Sequence, residues 1–483
     1  MIPKRSARQS ELWATVRLAV PVVIVQVGFM AMGTVDTLMV GRISAAALAA
    51  VSLGNLYVFN VSIFGAGTLM ALDPLVAQAV GAADMPAVSR AVQRGLVLAV
   101  VLAGVTALAL APATIVLHAA RQPPEVIPDA AAYVHISVAG LLPFLAFVVL
   151  RQSLQAMHRV APIIYTVVFA NITNATLNWV FVYGHLGSPA LGVRGSAVAT
   201  AISRWTMASL LLMLAWRDLA PTLRPLRTDS WQIAPIGRML AIGLPIGAQY
   251  ALEAGAFAAV GLLMGVMGTV EMAAHQIAIT LASLTFMVPL GVASAASVRV
   301  GHAIGAGDDA RARDAARAAY LCGVGFMILP AILFLFASHL LSSAFTRDTA
   351  VIAFAVTLIP IAGVFQVFDG AQAVGAGILR GAGDTTAPLW VMLAGYWIVG
   401  VPVSAYLGFR TSLGAAGLWW GFVVSLGSVA VFLLLRIRIV FGRELRRTHV
   451  DGPVAHRADG GDGRDGGVQA FGSRPADIDE RDT

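Results

Sequence analysis

Lysine is almost missing from this chain: of 32 basic residues, only Lys4 is not an arginine. A phosphate-cradling GxxxxGK[ST] loop needs a lysine, so that loop is excluded, and the glycine-rich GAGILRGAG at 375–383 carries no nucleotide signal. Cysteine is as scarce. Cys322 stands alone, so no intramolecular disulfide or cysteine metal pair can form, and within an apolar run it reads as a small buried hydrophobe. No HExxH pair and no serine nucleophile elbow occurs, and the chain is read as something other than an enzyme. Charge is the most telling shortage. Only 12% of the 483 residues are charged while 58% are hydrophobic, against about 25% charged in a soluble domain. So little charge does not cover so apolar a core in water.

A bilayer resolves the imbalance, since each spanning helix takes about 20 mostly apolar residues. The mean hydropathy is +0.81, and twelve suitable runs lie near 14–37, 48–72, 94–114, 130–150, 162–183, 195–216, 239–268, 273–298, 318–338, 350–379, 388–409 and 414–437. The first is too long for a cleaved leader and reads as a retained signal anchor. With the N-terminus placed in the cytoplasm, 22 lysines and arginines near the membrane fall on the cytoplasmic side and 5 on the other, which satisfies the positive-inside rule. Both termini are therefore expected in the cytoplasm. The net charge of +7 is topological, and no basic stripe with interleaved aromatics points to nucleic acid. Residues 448–483, polar and rich in Gly and Asp without periodicity, read as a disordered cytoplasmic tail.

The chain repeats itself. QAVGAAD (78–84) aligns with HAIGAGD (302–308) at an offset of 224, which also pairs Pro21 with Pro245 and Gly41 with Gly265. Small gaps then carry Pro162 onto Pro388 and LGVRG (191–195) onto LGAAG (413–417). Six spans per half is an even number, so both halves enter from the same side and the repeats are parallel, with a cleft between them. The expected architecture is an all-α integral membrane protein: twelve transmembrane helices in two parallel six-helix lobes, residues 1–230 and 231–447, followed by the tail. Runs of small residues such as AGAFAAV suit close helix packing in lipid.

Within these runs the acids are few: Asp36 in the first, Glu253 in the seventh and Asp369 in the tenth. An aspartate at the centre of a spanning helix costs roughly 2.5–3.5 kcal/mol, and intramembrane ionisable residues are by default functional; the competing reading is a protonated acid hydrogen-bonded for packing. Asp73, in LMALDPLVAQ, falls near the cytoplasmic end of the second run, where water is expected to reach it, and Asp-Pro there is also a capping arrangement. Asn171, Asn174 and Asn178 share one face of the fifth run, either as neutral oxygen ligands beside a carboxylate or as interhelical glue. Arg204 is the one arginine read as lying inside a run, without an evident partner. His275 heads an apolar run and reads as structural.

MGTVDTLMVGR followed by ALAAVSLG, LMALDPLVAQAVGA, VGHAIGAGD and GILRGAGDT resemble the multidrug and toxic compound extrusion (MATE) family, its NorM-type branch most of all, over about residues 12 to 440. The resemblance implies a bacterial inner-membrane antiporter that exports cationic or amphipathic drugs by alternating access against inward Na⁺ or H⁺, with no cofactor and no partner beyond substrate and lipid, working as a monomer. It implies an N-lobe cation site at Asp36, Asn174, Asn178 and Thr200, and a C-lobe acid pair at Glu253 and Asp369. Asp73 and Arg204 stand as secondary candidates, Arg204 outside the family's pattern, and the tail matches nothing in it. Carbonyl and hydroxyl oxygens around Asp36 are hard ligands that favour Na⁺. A lipid-linked oligosaccharide flippase would share the two-lobe plan, but its cleft should be lined by arginines for pyrophosphate. An intramembrane enzyme would need a nucleophile and base, or a metal cluster, and neither is visible.

Overall fold

The computed structural model describes residues 7–451. Twelve long helices cover the twelve runs: α1 Ala7–Val40, α2 Ala45–Gly81, α3 Met85–Leu110, α4 Ile127–Ala156, α5 Ala161–Tyr183 and α6 Val193–Leu214 in the first half. The second half holds α7 Ile233–Met267, α8 Thr269–Gly305, α9 Asp309–Phe336, α10 Thr349–Gly381, α11 Thr386–Arg410 and α12 Ala415–Phe441. Among the described residues eleven of these are long and apolar enough to cross a bilayer on hydropathy alone. The twelfth is α5. Its 23 residues reach about 34 Å at 1.5 Å per residue, enough to span, but its three asparagines dilute its hydropathy.

Helix starts follow local chemistry. Ser44 caps α2 by accepting from Ala47 N at 3.0 Å, and Asp84 caps α3 by accepting from Ala87 N at 3.0 Å. Asp308, the repeat partner of Asp84, caps α9 in the same way through Arg311 N at 2.9 Å. Gly192 and Gly414, the glycines of LGVRG and LGAAG, both take left-handed φ values of 56° and 54° immediately before α6 and α12, which only glycine adopts cheaply. Helix α2 runs well beyond its apolar run, to Gly81, because the polar QAV segment packs against protein.

The two lobes meet through α1 against α8 and α2 against α7, pairs that exchange under the repeat. The contact is reciprocal down to single residues. A Cβ on Gly81 would collide with the carbonyl of His302, and a Cβ on Gly305 with the carbonyl of Gln78; each pair maps onto the other at the offset of 224. Gly67 against Gly247 and Gly291 against Val23 form a second such set.

The side-chain bonds that join the lobes gather at the end where both described termini lie. Gln78 Nε2 donates to Gly381 O at 2.9 Å and its Oε1 accepts from Thr448 N at 2.7 Å. His302 Nε2 donates to Ala156 O at 2.7 Å, and Arg447 meets Asp84 at 2.9 Å. Glu11 takes both Arg299 and Arg311. This end of the bundle is closed. The tail expected at 448–483 lies outside the described residues from 452 onward.

Candidate functional site

Three helices of the N-lobe bring a carboxylate and neutral oxygens together. Asp36 on α1 is only 4% exposed. Its Oδ1 accepts from Asn178 Nδ2 at 2.6 Å and its Oδ2 from the Thr200 hydroxyl at 2.8 Å. The amide of Asn178 also donates to Asn174 O at 2.9 Å, and Asn174 Nδ2 reaches Thr200 Oγ1 at 3.4 Å. Both amide donors thus point inward to protein, which leaves Asn174 Oδ1 and Asn178 Oδ1 buried with no hydrogen-bond partner. Buried acceptors are ordinarily satisfied, and two orphan carbonyl oxygens beside a carboxylate make a donor set suited to a hard cation.

Asn171 is not part of this cluster. Its Nδ2 donates to Val167 O of its own helix at 2.8 Å, so the expected stripe contributes two asparagines and not three. Arg204 lies one turn beyond Thr200 on α6. Its guanidinium carbon sits 5.0 Å above the Phe144 ring, and it lies within electrostatic reach of Asp36 and Tyr133.

In the C-lobe, Glu253 on α7 and Asp369 on α10 are near enough to interact electrostatically. Tyr396 joins them, its hydroxyl 3.5 Å from Glu253 Oε1, and Asp369 Oδ1 has no hydrogen-bond partner. Tyr396 lies in a π-helical stretch of α11, Leu393–Gly400. That widening, of a kind often found at functional sites, leaves Gly395 O to the hydroxyl of Ser425 at 2.9 Å. A tyrosine in an apolar run gives no sequence signal of its own, and Tyr396 was not among the expected residues.

Asp73 departs from expectation. Water does not reach it: it is 1% exposed, and Arg380 Nε of the other lobe stands 3.5 Å from Oδ2. Arg151 on α4 is also within electrostatic reach, and neither carboxylate oxygen has a hydrogen bond. Arg380 Nη1 donates to the Tyr250 hydroxyl at 3.2 Å. Arg204 is therefore not alone: Arg151 and Arg380 are buried within α4 and α10, whereas sequence reasoning placed them at the membrane edge. The signal was present as two arginines and an aspartate at one depth, but their pairing crosses the lobes.

His275 is buried against Trp419, ring centroids 5.6 Å apart, and Cys322 is half-buried. No group of three or more His, Cys, Asp or Glu side chains able to hold a metal ion occurs among the described residues.

The family model described as MatE matches residues 21–180 and 245–406, one match in each half. The probable multidrug resistance protein NorM of Rhizobium meliloti is 38% identical over 441 residues, 90% of this chain and 94% of that protein. The multidrug resistance protein NorM of Burkholderia vietnamiensis is 36% identical, covering 88% and 93% of the two chains. Among solved structures, the eukaryotic MATE transporter AtDTX14 superposes with a TM-score of 0.83 at 21% identity, over 89% of this chain and 96% of that one, which shows a shared fold.

Proposed function

This chain belongs to the MatE family of membrane transporters, and from that premise we propose that it exports cationic and amphipathic xenobiotics by cation-coupled antiport. The observation that carries this reading is the N-lobe cluster: a buried carboxylate held by Asn178 and Thr200, with two carbonyl oxygens left unpartnered. Such a cluster is suited to bind an inward-moving Na⁺ or H⁺, and the Glu253–Asp369 pair supplies a second acidic site in the other lobe. Alternating access would then part the closed end described above. The 22-to-5 arginine and lysine asymmetry supports a cytoplasmic location for that end, and the bacterial relatives support an inner membrane. We infer that one chain suffices for the cycle, since each lobe carries its own acids.

The flippase reading gains three buried arginines from the structure, Arg94, Arg151 and Arg380. Arg94, however, donates to Asp229 O at 3.1 Å, and the other two surround Asp73 at the closed end, where a carboxylate already occupies them. Drug accumulation in an efflux-deficient host tests the proposal. The parent chain should lower accumulation, and Asp36→Asn or Asp369→Asn should restore it while the protein still inserts, because an amide keeps the volume and removes the charge. Normal efflux by both variants would reduce the acids to packing elements.

A further inference from the structure

The repeat relates two grooves at the termini-bearing end, and the described residues fill only one of them. In the N-lobe, the groove between α3 and α6 is filled by the segment that follows α6. A short helix, Trp216–Leu223, folds back onto α3. Ser89 Oγ donates to Thr222 O at 2.7 Å, and Gln93 Nε2 donates to Thr222 O at 3.0 Å and to Pro225 O at 3.1 Å.

The C-lobe counterpart lies between α9 and α12. At the offset of 224, Ser89 becomes Arg313 and Gln93 becomes Arg317, while the offset of 222 turns Trp216 into Arg438. Helix α12 does not break where α6 does but continues to Phe441. The result is a groove of about 540 Å³ that no described residue fills. Arg313, Arg317 and Arg438 line it together with Leu321, Leu434 and Phe441. Three neutral or aromatic positions in one lobe are thus three guanidinium positions in the other.

We propose that this groove binds one anionic phospholipid, its phosphate between Arg317 and Arg438 and an acyl chain against Leu321 and Leu434. The charge balance selects the headgroup. Arg313 is 3.8 Å from Asp309 and donates through Nε to Phe441 O at 2.9 Å, and Arg317 is 3.5 Å from Asp314. Arg438 forms no ion pair with a described carboxylate, the nearby acids Asp309, Asp314 and Asp384 pairing with Arg313, Arg317 and Arg436. One positive charge is left over, which a phosphodiester without a headgroup cation neutralises and a zwitterionic lipid does not. The apolar wall selects a lipid over free phosphate: Leu321 and Leu434 are 51% and 39% exposed on the side of the arginines that faces the bilayer interior. Basic pockets between spanning helices at the cytoplasmic surface recognise acidic headgroups by this combination. The inference rests on the membrane reading alone and is independent of what the protein transports.

The test is lipid retention by the full chain, purified and titrated with phosphatidylglycerol or phosphatidylcholine and followed by native mass spectrometry. One phosphatidylglycerol per chain should be retained in preference to phosphatidylcholine. Each arginine near a membrane surface contributes about 1 kcal/mol to anionic lipid binding, about fivefold, so Arg317→Gln with Arg438→Gln should weaken retention by roughly 25-fold. Equal retention of both lipids by the parent chain, a measurement that needs no substitution, overturns the proposal, as does unchanged retention by the double variant. A photo-crosslinker placed at Leu434 should capture a phospholipid; capture of residues 452–483, or of a second copy of the chain, would assign the groove to a protein occupant instead.

Discussion

Asp73 sits between arginines from α4 and α10 with neither oxygen hydrogen-bonded, so its charge contributes mainly by cancelling theirs. Removing one partner of a buried pair leaves the other uncompensated, which costs about 3–5 kcal/mol in measured cases. Asp73→Asn is therefore expected to unfold at a distinctly lower temperature than the parent chain, and Asp36→Asn to lose less, because Arg204 lies within electrostatic reach of Asp36 but forms no salt bridge with it, whereas Arg380 does with Asp73. Thermal unfolding of the purified variants in one detergent checks this, and equal melting temperatures would show that Arg380 and Arg151 find other partners. The same contrast explains what was legible at this scale. Asp36, Glu253 and Asp369 announce themselves because a lone carboxylate in an apolar run has no cheap explanation. Arg151, Arg380 and Tyr396 do not. The arginines sit near the ends of their helices, where hydropathy places them in loops, and a tyrosine is ordinary in any apolar run.

At the scale of helices, the closed end depends on glycines where α2 and α8 cross. Gly81 and Gly305 each face a carbonyl of the other helix, so any side chain there forces the helices apart, with no flexible neighbour to yield. Gly305→Val should open this end. In a background lacking Cys322, a cysteine at Ala77, which lies against Gly301, is expected to react slowly with a water-soluble maleimide. Adding Gly305→Val should quicken the reaction several-fold. An unchanged rate would mean that the lobes close through other contacts. The helix inventory itself was readable from hydropathy, down to α5 with its polar face. The ends were not. The last turns of α2 and the first turns of α3 are polar enough to resemble loops, and they are helical because Asp84 caps one element and the other lobe covers the preceding one. The π-helical turn of α11 leaves no mark in composition at all.

For the whole molecule the question is what drives export. One charge moving inward across 100 mV releases about 2.3 kcal/mol, which sustains roughly 1.6 decades of drug gradient at 1.4 kcal/mol per decade. If a monovalent drug leaves for each ion that enters, the charges cancel and the membrane potential contributes nothing. Two inward ions per cationic drug restore a voltage term, and the two lobes offer two acidic sites, Asp36 in one and Glu253 with Asp369 in the other. The N-lobe cluster bears on which ion it is. A proton needs only a carboxylate in a dry setting, and the orphan Oδ1 atoms of Asn174 and Asn178 would then have no purpose, whereas Na⁺ would use them as ligands. Drug efflux from proteoliposomes is accordingly expected to quicken when an inward Na⁺ gradient is imposed at equal pH on both sides. Asn178→Ala should blunt that response more than it blunts the response to a pH step, because it deletes a neutral ligand and leaves the carboxylate. Indifference to Na⁺ with a full response to the pH step would assign the coupling to protons and return the asparagines to helix packing.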